Sequence, residues 1–185
     1  MGVTHLTIRK YRCVDLLVFT AIACLFDAVI GRFGLFGGRQ YFGLSTVLVL
    51  AMYVRWGRYA LFPNLAVAIV NVAVNYVDPA VAFAHALGIL SLSVALLVLR
   101  TAPLQVRRPK LAPLSLYYLT CYAVLFFTEW ILLVVIGRPT GFAGFAVNRI
   151  FDVLLGFGLL LIMVAQKELF IPMTPYLLEN SEGTR

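Results

Sequence analysis

Charge is scarce in this chain. Only 12% of its 185 residues are Asp, Glu, Lys or Arg, about half the share of an ordinary soluble domain. So few charged groups cannot cover a water-facing surface, which excludes a soluble enzyme and a free nucleic-acid-binding domain. Cysteine is also sparse. Cys13, Cys24 and Cys121 are odd in number and lie in or beside apolar runs, so they read as packing residues rather than disulfides or metal ligands. The two histidines, His5 and His85, are too few and too far apart for a histidine-rich metal site. There is no His-Glu-x-x-His, no Gly-x-Ser-x-Gly, no phosphate-binding P-loop and no Cys-x-x-Cys. No catalytic motif points to an enzyme, and no cofactor or metal is implied.

What is present is apolar: 62% of the residues are hydrophobic, and the mean hydropathy is +0.95. That composition describes an integral membrane protein. A spanning helix needs about 20 residues, and six apolar runs predict helices over 13–30, 36–54, 59–77, 80–99, 114–136 and 145–165. The expectation is an all-α bundle of six transmembrane helices, one membrane domain over 1–185, with no room for a soluble domain. The basic Arg9-Lys10-Tyr11-Arg12 before the first run also suits a signal peptide. Asp15 and Asp27 within that run, and the lack of a clean Ala-x-Ala site, favour a retained helix.

Six helices with a cytoplasmic N-terminus place eleven of the fifteen Lys and Arg residues inside, among them Arg55, Arg58, Arg100, Arg107, Arg108 and Lys110. Arg32, Arg39, Arg138 and Arg149 fall outside. This bias predicts that both termini are cytoplasmic. It also accounts for most of the net charge of +7 without a nucleic-acid partner. The expected location is a prokaryotic plasma membrane.

Topology turns the polar residues into a pattern. Asp27, Asn71, Asn75, His85, Glu129, Trp130, Asn148, Arg149 and Asp152 all fall in the outer half, while the inner halves are mostly Leu, Val, Ala and Phe. Asp15 and Asn64 are the exceptions. A channel needs polar lining along its full depth, so the asymmetry suits an outward cup closed beneath. Tyr41, Trp130, Phe142 and Phe145, with Phe33, Phe36, Phe42 and Tyr76, supply candidate walls. Asn71 and Asn75 are four residues apart, as are Asn148 and Asp152, and Arg149 and Asp152 are three apart, so each pair shares a helix face. Arg149 is the best anion anchor and Glu129 the best acceptor. Each residue also has a structural reading: an intrahelical ion pair for Arg149–Asp152, helix-packing glue for the asparagines, a hydrogen-bonded core group for His85, an interfacial belt for Trp130.

The second-to-third helix junction, Tyr41 to Val54 followed by Arg55-Trp56-Gly57-Arg58, is similar to that of one group of membrane proteins. Length, helix number and the near absence of extramembrane mass agree with it over essentially the whole chain. The chain resembles the substrate-binding (S) components of energy-coupling factor vitamin transporters. The resemblance implies a subunit that captures a small nutrient from outside and works with a membrane coupling protein and two ATPase subunits. It also implies a gating first loop containing Gly34, Gly37, Gly38 and Arg39. The family's coupling surface on its first helix would correspond to Thr20, Cys24 and Ala28, where Thr and Cys depart from the usual alanines. Two other readings stand beside it: a membrane scaffold resembling the cell-shape protein MreD, and an intramembrane enzyme acting on lipid-linked substrates through Glu129 or Asp152.

Overall fold

The computed structural model describes residues 2–33, 44–75, 78–101, 111–138, 141–166 and 171–182. Every regular element among them is a helix: α1 (Gly2–Phe33), α2 (Leu44–Trp56), α3 (Leu61–Asn75), α4 (Pro79–Leu90), α5 (Ala95–Thr101), α6 (Leu111–Val135), α7 (Phe142–Ala165) and α8 (Met173–Glu182). Short 3₁₀ turns at Gly57–Ala60 and Ser91–Val94 join α2 to α3 and α4 to α5.

Four stretches are long and apolar enough to cross a membrane: Leu44–Val74, Pro79–Thr101, Leu111–Val135 and Phe142–Ala165. The chain is therefore built as a multi-pass membrane protein. Its outer faces agree, since Leu17, Phe62, Leu116, Val135 and Leu154 are each more than 60% exposed. A water-soluble fold does not leave such a continuous apolar surface uncovered.

The first stretch reverses direction within itself. Asn64 Nδ2 donates to the Tyr53 hydroxyl at 3.0 Å across eleven residues, a separation of about 16 Å along a straight helix. Gly57 makes the reversal with φ +56°, a left-handed conformation that glycine adopts without steric penalty. The short helix before it, α2, would be only about 20 Å long. It is buried from Ser45 to Trp56 and packs against α1, α3, α5, α7 and α8. It forms the central post of the bundle, and its stretch from Val47 to Val54, apolar all round, reflects enclosure by protein on every side.

Two ends can be distinguished along this post. At the proximal end Asp15 of α1 is clamped from α2. Arg55 donates to both its carboxylate oxygens, Nε at 2.8 Å and Nη2 at 3.0 Å, and the Trp56 indole N–H donates at 2.6 Å. At the distal end Asp78 caps α4 by accepting from the Ala80 N–H at 3.0 Å, with Pro79 in the first helical position. Arg138, after α6, reaches the same carboxylate at 2.5 Å and ties the two distal connections together.

The helices differ from the expected runs in three ways. The first, α1, extends through the basic segment to Gly2, because Arg, Lys and Leu all support a helix outside the apolar run. The second begins at Leu44, and the expected start near 36 lies outside the described residues. The tail, for which no helix was expected, contains α8, which packs against α1 and α2 with Ile171 and Met173 buried.

Candidate functional site

The distal half holds buried polar groups from six helices, Ser45 and Thr46 at the start of α2 among them. Their placement follows from connectivity: α3 leads into α4 through Asp78, α6 leads into α7 past Arg138, and the ion pair between those residues fixes both connections at one end. Asp27 lies toward the end of α1 and pairs with α3, where Asn71 Nδ2 donates to its Oδ2 at 2.8 Å. Both side chains are buried.

The larger cluster joins α4, α6 and α7. His85 sits on the second turn of α4, Glu129 near the end of α6, and Arg149 and Asp152 on consecutive turns of α7. All four are at least 95% buried. His85 Nδ1 lies 2.6 Å from Glu129 Oε1. Arg149 Nη2 donates to both Glu129 carboxylate oxygens, and its Nη1 lies 3.6 Å from Asp152 Oδ2. The same Nη2 is 3.0 Å from His85 Nδ1. A guanidinium can only donate, and Glu129 can only accept when ionised. The favourable tautomer therefore carries the proton on Nδ1 and donates it to Glu129, and the Arg149–His85 approach is a contact between two donors sharing one acceptor.

Glycine makes this geometry possible. A Cβ on Gly88 would stand 3.2 Å from Glu129 Cβ, so the bare backbone of α4 lets α6 come close enough for His85 to reach the carboxylate. Aromatic rings from α6 and α7 pack beside the cluster. Phe126 lies 4.9 Å from Phe145, Trp130 packs edge-on to Phe142 at 5.3 Å, and the Arg149 guanidinium is 5.7 Å from the Phe145 ring.

The structure thus brings His85, Glu129, Arg149 and Asp152 into one network, sets Trp130 among the rings beside it, and places Asp27 with Asn71 in a second pair. Asn75 and Asn148 stand on α3 and α7, but their side chains, like that of Phe33, lie outside the description. Tyr41, Gly34, Gly37, Gly38 and Arg39, with Phe36, Phe42 and Tyr76, lie outside the described residues. On α1, Thr20 donates to the Leu16 carbonyl at 2.5 Å and its oxygen is 3.8 Å from Met52 Sδ of α2. Cys24 packs on the core and Ala28 is half-buried. The stripe expected to meet a partner is thus turned largely toward the bundle at Thr20 and Cys24. The exposed face of α1 carries Val18, Ile22, Leu25 and Val29.

Sequence reasoning missed Gly88, Phe126 and Phe127. Gly88 is three residues beyond His85 and shares its helix face, a signal that was available. The rings stand one turn before Glu129 and Trp130. Comparison with known proteins adds no relative: no protein-family model matches the chain, and no curated protein or solved structure is measurably similar to it.

Proposed function

We propose that this chain is the substrate-capture subunit of an importer of the energy-coupling factor type. In this reading it crosses a prokaryotic plasma membrane six times with both termini cytoplasmic. It takes a small nutrient into the distal half and passes it on through a membrane coupling protein and two ATPase subunits. The observation that carries the reading is the one-sided placement of buried ionisable groups. Asp27, His85, Glu129, Arg149 and Asp152 gather at the distal end of a bundle whose other half is mostly apolar. Buried charge within a membrane domain is costly and is retained where it serves a function.

The charge balance narrows the ligand. Two buried carboxylates, Glu129 and Asp152, lie against a single guanidinium, and a third, Asp27, is buried in the neighbouring pair with Asn71. That excess favours a small molecule with a cationic nitrogen, flat enough to slide between the aromatic rings and the network. A coupling partner approaching α1 would meet Val18, Ile22, Leu25 and Val29.

One observation favours the scaffold reading. Arg149 holds Glu129 with two hydrogen bonds inside the chain, which a purely structural network also requires. Affinity capture of the tagged chain from its own membranes separates the two. A coupling protein with two ATPase subunits is the expected result. Recovery of a cell-wall assembly complex without ATPase subunits overturns the importer reading.

A further inference from the structure

At the proximal end a groove of about 640 Å³ runs between α1 and the start of α3. Leu16, Leu17 and Ala21 line it on one side, Phe62 and Ala66 on the other. Its mouth is basic: Arg9, Arg12 and Tyr59 border it. The Arg12 guanidinium sits 3.5 Å above the Tyr59 ring, and that of Arg58 approaches the same ring to 5.5 Å. The Tyr59 ring attracts both guanidiniums, and an anion beside them would relieve the repulsion that remains between two like charges. Among the described residues, Asp15 is occupied by Arg55 and Trp56, and Arg9, Arg12 and Arg58 form no ion pair.

We infer that this groove binds one anionic phospholipid, its phosphate between Arg12 and Arg58 and an acyl chain in the trough. The order of groups fits that ligand from head to tail. The mouth lies where the apolar run of α1 begins, beside the Tyr11–Trp56 ring pair at 6.2 Å. Such aromatic residues mark the headgroup level. From Arg12 to Ala21 the trough follows α1 for about 13 Å, enough for the upper half of an acyl chain. A free phosphate would have no use for an apolar trough, and a neutral lipid no use for three arginines. The site is separate from the distal network and independent of any transport role.

Native mass spectrometry of the whole protein in neutral detergent tests this, with dioleoylphosphatidylglycerol, dioleoylphosphatidylcholine and inorganic phosphate as probes. One phosphatidylglycerol should be retained about twenty-five-fold more strongly than phosphatidylcholine, since each of the two arginines at the phosphate contributes roughly fivefold. Arg12→Gln with Arg58→Gln should bring the two lipids level. Both side chains are at least partly exposed, so the variant should fold. Ala66→Phe fills the trough and should weaken retention with every charge in place; Leu17→Ser serves the same purpose if that variant does not fold. Equal retention of both lipids by the unmodified protein overturns the assignment. So does undiminished phosphatidylglycerol retention in the arginine or trough variants, or displacement of the lipid by millimolar inorganic phosphate, which would mark a plain phosphate site.

Discussion

Arg149 stands between two carboxylates and beside an imidazole, with almost no access to solvent. Its worth is best seen by removal. Glu129→Gln leaves the guanidinium with Asp152 at 3.6 Å as its remaining carboxylate, and breaking a buried pair in this way costs about 3–5 kcal/mol. Arg149→Met should cost a similar amount by leaving two carboxylates without a cation. The double variant should cost less than the sum of the two, with a coupling energy of about 1–3 kcal/mol. Unfolding in detergent reads all three, and strict additivity would contradict a direct Glu129–Arg149 interaction. At this scale the sequence carried much of the site. The three-residue spacing of Arg149 and Asp152 already places them together on one helix face. The pairing of His85 with Glu129 was not legible, because 44 residues separate them and nothing in either segment says that α4 lies against α6. Asp15, set aside as an exception, turns out to be the anchor of α2, held by the Arg55-Trp56 pair that sequence similarity had already picked out.

Between elements, the closest packing at any described glycine is at Gly156, where α7 passes α6. A Cβ built on Gly156 would lie 2.3 Å from the Tyr118 hydroxyl and 3.0 Å from Val47 Cγ2. That hydroxyl is not free to retreat without loss, since it donates to the Val153 carbonyl at 3.1 Å. Gly156→Ala should therefore destabilise the protein by about 1–3 kcal/mol through overpacking. Adding Tyr118→Phe should recover part of the loss, because the nearest obstructing atom is gone. A thermal melt of the single and double variants reads this, and no recovery would mean that Val47 rather than Tyr118 sets the limit. Hydropathy could not reveal such packing. It scores a lipid-facing residue and a core residue alike, which is also why the run over 36–54 read as an ordinary span rather than as a post enclosed by its neighbours. The tail helix α8 escaped notice for the opposite reason: its sequence is too polar for a span, and only a few apolar residues seat it against α1 and α2.

For the whole molecule, the separation of polar chemistry at one end from apolar packing and a basic rim at the other is the feature that a capture subunit requires. The six crossings of the proposed importer would put both termini on the basic side. Single cysteines introduced at residues 2 and 184, in a background lacking Cys13, Cys24 and Cys121, should both react with an impermeant maleimide only after the cytoplasmic face is opened. Labelling of either from outside would reverse the orientation. The scarcity of charge that first identified a membrane protein thus also isolates the site, since most of the ionisable groups enclosed by the described helices belong to it or to the Asp15 clamp. The central claim is that the distal network holds a ligand. Its most direct test is mass spectrometry of small molecules released on denaturing the purified protein, compared with Arg149→Lys and Glu129→Gln variants that remain folded by circular dichroism. The account predicts one cationic small molecule at near-stoichiometric yield from the unmodified protein and its loss from both variants. Equal yields from all three, or no bound molecule from the unmodified protein after growth in rich medium, would contradict it.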